Sequence, residues 1–133
     1  MAKYRILMVD DETNHPTAFK FLTELKGDYE VLVAASGKEA FEIVCSSRPD
    51  IITLDVMLAG EDGVDILKKI REDDSLKDIP VIMMSGVEAE SSRQAAEALG
   101  IEDFLTKPVE MDDLLHKINL IKARASITQK IAP

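Results

Sequence analysis

What this chain lacks narrows its class before any motif is read. Its 133 residues hold one cysteine, Cys45, which excludes an internal disulfide framework and any multi-cysteine metal site. Cys45 lies beside Ile43 and Val44 in a helical pattern, which predicts a structural or semi-buried thiol and not a reactive one. Long apolar runs are missing too. Stretches such as VLVAA at 31–35 fall far short of the roughly 20 residues a membrane-spanning helix needs. The N-terminus lacks the basic-then-apolar layout of a secretory signal, so a cytoplasmic protein with no membrane partner is expected. Positive charge is scarce: Lys and Arg number 16 against 25 Asp and Glu, a formal net charge of -9. That balance repels phosphate backbones and anionic lipid, which argues against direct nucleic-acid binding by a basic face. No internal repeat, low-complexity segment or linker interrupts the chain before residue 125.

What is present is ordinary for a soluble domain. The chain is 46% hydrophobic and 31% charged and long enough for one domain with a proper core. Short apolar runs recur at residues 5–9, 30–34, 51–54, 81–84 and 101–105, with helical spacing between them. A first helix would turn Ala18, Phe21, Leu22 and Leu25 to the interior, with Pro16 in its first turn and Gly27 past its end. A second opens on the capping box Ser36 to Glu39 and buries Ala40, Ile43 and Val44. The third follows Gly63 with Ile66, Leu67 and Ile70 inward, and Pro80 leads into the fourth strand. A fourth helix ends at Leu99 before Gly100. The fifth carries Met111, Leu114, Leu115, Ile118, Ile121 and Ala125 at helical spacing, and Ile127 and Ile131 can prolong it. Strands alternating with helices predict an α/β domain, a parallel sheet with five helices on two faces, because right-handed crossovers force that layering. Runs such as VIMM, apolar on both sides, suit a sheet covered twice. Residues 1–125 form this domain, and 126–133 are a C-terminal tail or an extension of the last helix.

In an open parallel sheet, ligands bind outside the carboxyl ends of the strands. The first strand ends in Asp10 and Asp11, the third in Asp55, the fourth in Ser85, and the fifth runs into Lys107 and Pro108. Three carboxylates gathered in one crevice either take up protons or bind a cation. Oxygen ligands without His or Cys favour a hard ion, and a site that keeps several waters suits Mg²⁺, with Mn²⁺ as an alternative. Lys107 and Ser85 add a positive charge and a hydroxyl donor able to neutralise the oxygens of a transferring phosphoryl group. Asp55, alone on its strand, is the candidate nucleophile, leaving Asp10 and Asp11 to hold the metal.

These residues, with the loop DVMLAGEDG that places Gly63 eight positions after Asp55 and with Phe104 ahead of Lys107-Pro108, make the chain resemble the receiver domain of bacterial two-component response regulators. The resemblance covers residues 4 to 124. It implies a doubly wound, flavodoxin-like fold of five parallel strands in the order 2-1-3-4-5; chemotaxis receivers are a standard example of that order. It also implies a phosphorylation-activated switch in which Asp55 takes a phosphoryl group from the phosphohistidine of a sensor histidine kinase or phosphotransfer protein. In such receivers Asp11 would ligate Mg²⁺ directly, Asp10 would act largely through water, and Met57 would lend its backbone carbonyl. Ser85 and Phe104 would form the switch pair, and the Lys107–Pro108 bond would be cis. A downstream effector protein or domain would bind the face made by helix 4, strand 5 and helix 5, with a phosphorylation-dependent dimer as a further outcome. The chemistry stays on the protein's own Asp55, so no external substrate is expected.

Two departures concern the loop after Asp55. Ala59 stands where the family usually has Pro, and Glu61 where Met or Leu is common; with Gly60 between them, a more flexible loop is expected. Family members that dephosphorylate quickly tend to carry an acid or amide at the positions of Met57 and Val87, so slow self-dephosphorylation is predicted. Other functions compete. An aspartate-nucleophile phosphatase would want D-x-D, but Asp55 is followed by Val56 and Met57. A flavin carrier would want a Ser/Thr-rich phosphate loop where Asp10 and Asp11 stand. A degenerate receiver acting as an unphosphorylated scaffold usually lacks an Asp or the Lys, all of which are present. Taken singly, each residue also has a plainer reading: Asp10 and Asp11 a solvated strand end, Ser85 bonded to its own backbone, Phe104 packing. His15 and His116 are read as surface residues.

Overall fold

The computed structural model describes residues 3–12, 14–86 and 89–131, with side chains except at 14, 15 and 128–131. The side chain of His15 and the whole of Val87 therefore lie outside the described residues. Five main strands form one parallel sheet: β1 (Tyr4–Val9), β2 (Tyr29–Ala34), β3 (Ile51–Asp55), β4 (Val81–Ser85) and β5 (Asp103–Thr106). Counted in this way, their order across the sheet is β2-β1-β3-β4-β5. The intervening helices are α1 (Asn14–Glu24), α2 (Gly37–Ser47), α3 (Gly63–Glu72), α4 (Glu90–Leu99) and α5 (Met111–Ile131). A two-stranded hairpin, Met57–Leu58 against Glu61–Asp62, follows β3.

Side chains that alternate along each strand feed two separate cores. From β1, Leu7 and Val9 join Leu54, Met83, Val44, Leu67 and Ile70 on one face of the sheet. Ile6 and Met8 join Phe19, Val31, Ile82, Leu115 and Ile118 on the other. Local signals bound the helices, with Ser36 and Gly100 as the sequence predicts and Asp62 as a cap not singled out from it. Ser36 Oγ accepts the Glu39 amide hydrogen at 3.2 Å as the cap of α2, Asp62 caps α3 through the Val64 amide, and Gly100 at φ 98° closes α4.

Two side-chain expectations fail. In α1 the residues predicted to face inward lie outside, with Phe21 65% and Leu25 69% exposed, whereas Phe19 and Thr23 are buried. The sheet edge supplies the reason. Lys20 Nζ donates to the Val31 carbonyl at 2.8 Å and Glu24 accepts the Val31 amide at 2.9 Å, so the polar groups of edge strand β2 set the rotation of the helix. The Lys20 hydrogen bond also holds the Glu24 carboxyl below its ordinary value. Cys45, predicted semi-buried, is exposed, because α2 turns Ala40 and Val44 inward and position 45 lies about 100° further round the helix from Val44. His116 is exposed as expected. Among the described residues no helix is long and apolar enough to cross a membrane.

Candidate functional site

The parallel register brings five strand ends to one rim. Asp55, the last residue of β3, pairs with Met84, and Ser85, the last of β4, pairs with Thr106. Asp10 follows β1 and is fixed by its amide, which donates to the Ala34 carbonyl at 3.0 Å. The Lys107 amide donates to the Ser85 carbonyl at 2.7 Å, and the Lys107–Pro108 peptide is cis.

Side chains then converge. Asp10, Asp11 and Asp55 each offer a carboxylate oxygen within 4.8 Å of the others. Lys107 Nζ lies 2.8 Å from Asp55 Oδ2 and 3.2 Å from Asp10 Oδ2. Asp10, Asp55 and Ser85 are buried, and Asp11 is exposed. Asp55 Oδ1 is buried and accepts no hydrogen bond among the described residues. An orphaned anionic oxygen of this kind is costly unless a cation or donor comes to it. Two more carboxylates stand within reach, so the donor set fits a hard divalent cation such as Mg²⁺.

Electrostatics point the same way. Burial pushes the Asp55 carboxyl from its ordinary 3.8 up to about 7, aided by the charge of Asp10 and opposed by the Lys107 hydrogen bond. For Lys107, burial lowers the affinity for its proton, but the hydrogen bond to Asp55 and the charges of Asp55 and Asp10 outweigh it, so the net shift is upward. Lys107 therefore stays an ammonium. One cation faces three acids, and the excess negative charge is what a divalent ion can neutralise.

The remaining predicted residues fall around this cluster. Met57 begins the hairpin with its side chain 72% exposed. Phe104, on β5, is 8% exposed, turned toward the interior. Three contacts escape the sequence reading. Arg93 of α4 sits over the Phe104 ring, 5.7 Å from its centroid, and its Nε lies 3.1 Å from Glu97 Oε1. Glu61 Oε1 accepts the Gly37 amide hydrogen at 2.9 Å, joining the hairpin to α2. The i, i+4 spacing of Arg93 and Glu97 was a usable signal for their pair; nothing local signals the other contacts, which join separate elements. The loop expected to be flexible is thus paired and anchored, though Gly60 does take φ 74°.

A doubly wound parallel sheet with an acidic cluster and a lysine at the carboxyl ends of its strands defines an open α/β domain whose site lies where ligands bind in such sheets. Residues 6–119 match the response regulator receiver domain, and the chain belongs to that family. It is 32% identical over 123 residues to the alkaline phosphatase synthesis transcriptional regulatory protein PhoP of Bacillus subtilis, covering 92% of this chain and 50% of that protein. It is 30% identical over 128 residues to the phosphate regulon transcriptional regulatory protein PhoB of Pseudomonas aeruginosa, covering 96% and 56%. The chain thus spans about half the length of these curated relatives. Among solved structures it superposes on a CheY-like receiver domain protein from Methanospirillum hungatei with TM-score 0.84 and 27% identity, covering 98% of this chain and all of that one. The Francisella response regulator 1452 receiver domain gives 0.81 and 28%, covering 92% and 99%. Receiver domains are signalling switches of two-component systems that work with histidine kinases and effector domains.

Proposed function

We propose that Asp55 is the phosphoacceptor of this receiver domain and that its phosphorylation, dependent on Mg²⁺, sets the domain's protein-binding state. The observation that carries the reading is the convergence of Asp10, Asp11 and Asp55 within 4.8 Å, with Lys107 Nζ at 2.8 Å from Asp55. In the reaction an Asp55 carboxylate oxygen attacks phosphorus, the O–P bond forms as the N–P bond of a phosphohistidine breaks, and the imidazole of the kinase or phosphotransfer protein leaves. Asp10, Asp11, Asp55 and the Met57 carbonyl would hold the cation, which when bound would supply positive charge to the phosphoryl oxygens. Lys107 keeps its proton and pairs with the same oxygens. Ser85 donates its hydroxyl to the acyl phosphate, which favours the inward position that the Phe104 ring already occupies here and so stabilises one setting of the face formed by α4, β5 and α5. An effector protein or domain, or a second phosphorylated copy, reads that face.

Incubation with Mg²⁺ and acetyl phosphate, followed by intact mass measurement, tests this. One added phosphoryl group is expected in the wild type and none in Asp55→Asn or in EDTA. No incorporation into wild-type protein would support the unphosphorylated-scaffold alternative instead. Met57 brings neither acid nor amide to orient an attacking water, so the phosphoryl group is long-lived; a half-life of seconds in the isolated domain would refute that.

A further inference from the structure

The loop after Asp55 carries the Met57 carbonyl, yet it lacks the rigidity that a proline at position 59 would confer and places Gly60 at φ 74°. Its order must come from elsewhere. At its far end the chain is pressed against its beginning: the Gly63 amide donates to the Val56 carbonyl at 2.6 Å, and a Cβ on Gly63 would lie 2.0 Å from the Asp55 carbonyl oxygen. Asp62 is engaged as the cap of α3. In the middle, Glu61 reaches across to α2, where Oε1 accepts the Gly37 amide hydrogen at 2.9 Å. That amide is one of the unsatisfied donors of a helix start, where a carboxylate also meets the positive end of the helix dipole. Gly37 makes the approach feasible, since a Cβ there would stand 2.5 Å from Glu61 Oε2 and 2.7 Å from Ile66 Cδ1. Leu58, opposite Glu61 in the hairpin, is buried in the core.

We propose that Glu61 is a positioning residue for the cation site: by clamping the hairpin to the first amide of α2 it holds the Met57 carbonyl in place beside the acidic cluster. This inference rests on the Mg²⁺-dependent reading above. Glu61 touches neither the metal nor the phosphoryl group in this scheme and acts through the backbone of residues 57 to 61. An acceptor oxygen is what the clamp requires, so Glu61→Gln preserves it. Glu61→Ala removes it, and Gly37→Ala displaces it from the other side.

Two measurements decide the matter. Hydrogen exchange in EDTA should show the amides of residues 56–62 exchanging at least fivefold faster in Glu61→Ala and Gly37→Ala, with Glu61→Gln near wild type. Calorimetric titration with Mg²⁺ alone should show affinity about three- to tenfold weaker in the first two and within twofold in the third. The double variant should be no weaker than the worse single one, because both remove the same contact. Unchanged exchange in Glu61→Ala, or altered exchange with unchanged Mg²⁺ affinity, would overturn the proposal, as would additive losses in the double variant. Wild-type protein that binds no Mg²⁺ would bring down the underlying reading, and the proposed role of Glu61 with it; the exchange data would then still report whether the clamp exists.

Discussion

Asp55 shows how one buried carboxylate can weaken a fold and serve a site at once. Its folded-state pKa, about 7, lies above its ordinary 3.8, so the folded protein holds this proton more tightly than the unfolded chain does. Its contribution to stability is complete below about 3.8 and disappears as pH rises through about 7. Asp55→Asn should therefore raise the melting temperature in EDTA by on the order of 5 °C at pH 8 and change it little at pH 4; thermal melts followed by circular dichroism at the two pH values check this. The same proton competes with a cation, so Mg²⁺ affinity should fall as pH drops below about 7. Lys107 has the opposite character. Lys107→Ala removes the ammonium that now sits on Asp10 and Asp55. Phosphoryl incorporation from acetyl phosphate should fall about a hundredfold while Mg²⁺ binds as tightly as before or more tightly; a parallel loss of metal affinity would show that the lysine only orders the acids.

At the scale of elements, the loops and helices owe their settings to contacts between segments far apart in sequence. Gly63 begins α3 with no room for a side chain against the Asp55 carbonyl, and Gly63→Ala should cost about 3 kcal/mol in urea denaturation through forced backbone displacement. In α1 the two faces can be told apart by experiment. Phe19→Ala should cost about 3–5 kcal/mol as a core truncation, whereas Phe21→Ser, on the exposed face, should stay within about 0.5 kcal/mol. Equal losses would mean that the helix is rotated from the position described. The sequence pattern misled here for a physical reason: apolar residues occur on both faces of α1, and the edge of β2, through Lys20 and Glu24, determines which one packs. Caps were legible because they are local. Ser36 and Gly100 act within four residues of themselves, so their chemistry can be read without knowing the fold.

For the molecule as a whole, two cores pack on opposite faces of the one sheet whose strand ends form the site's rim. Helix α5 contributes Leu114, Leu115, Ile118 and Ile121 to one of them and then continues to Ile131. Residues 123–127 are exposed, so a chain ending at Ala125 should melt within about 1 °C of the full one, with unchanged phosphoryl incorporation. A loss of several degrees would place the last turns of α5 in the stability of the domain. If the proposed cation binds only the folded chain, saturation at a hundred times its dissociation constant should stabilise by about 2.7 kcal/mol, and Asp11→Asn should abolish most of that gain.

The amino-acid sequence by itself determined the alternation of strands and helices, the doubly covered parallel sheet, and the placement of Asp10, Asp11, Asp55, Ser85 and Lys107 at strand ends. Each of these follows from local periodicity or from the position of a residue at the end of an apolar run. Tertiary structure alone decided the rotation of α1, the exposure of Cys45, the raised proton affinity of Asp55 and the tie from Glu61 to Gly37. Those depend on distances between groups brought together only by packing, and a contact across 24 positions leaves no periodic trace in the chain.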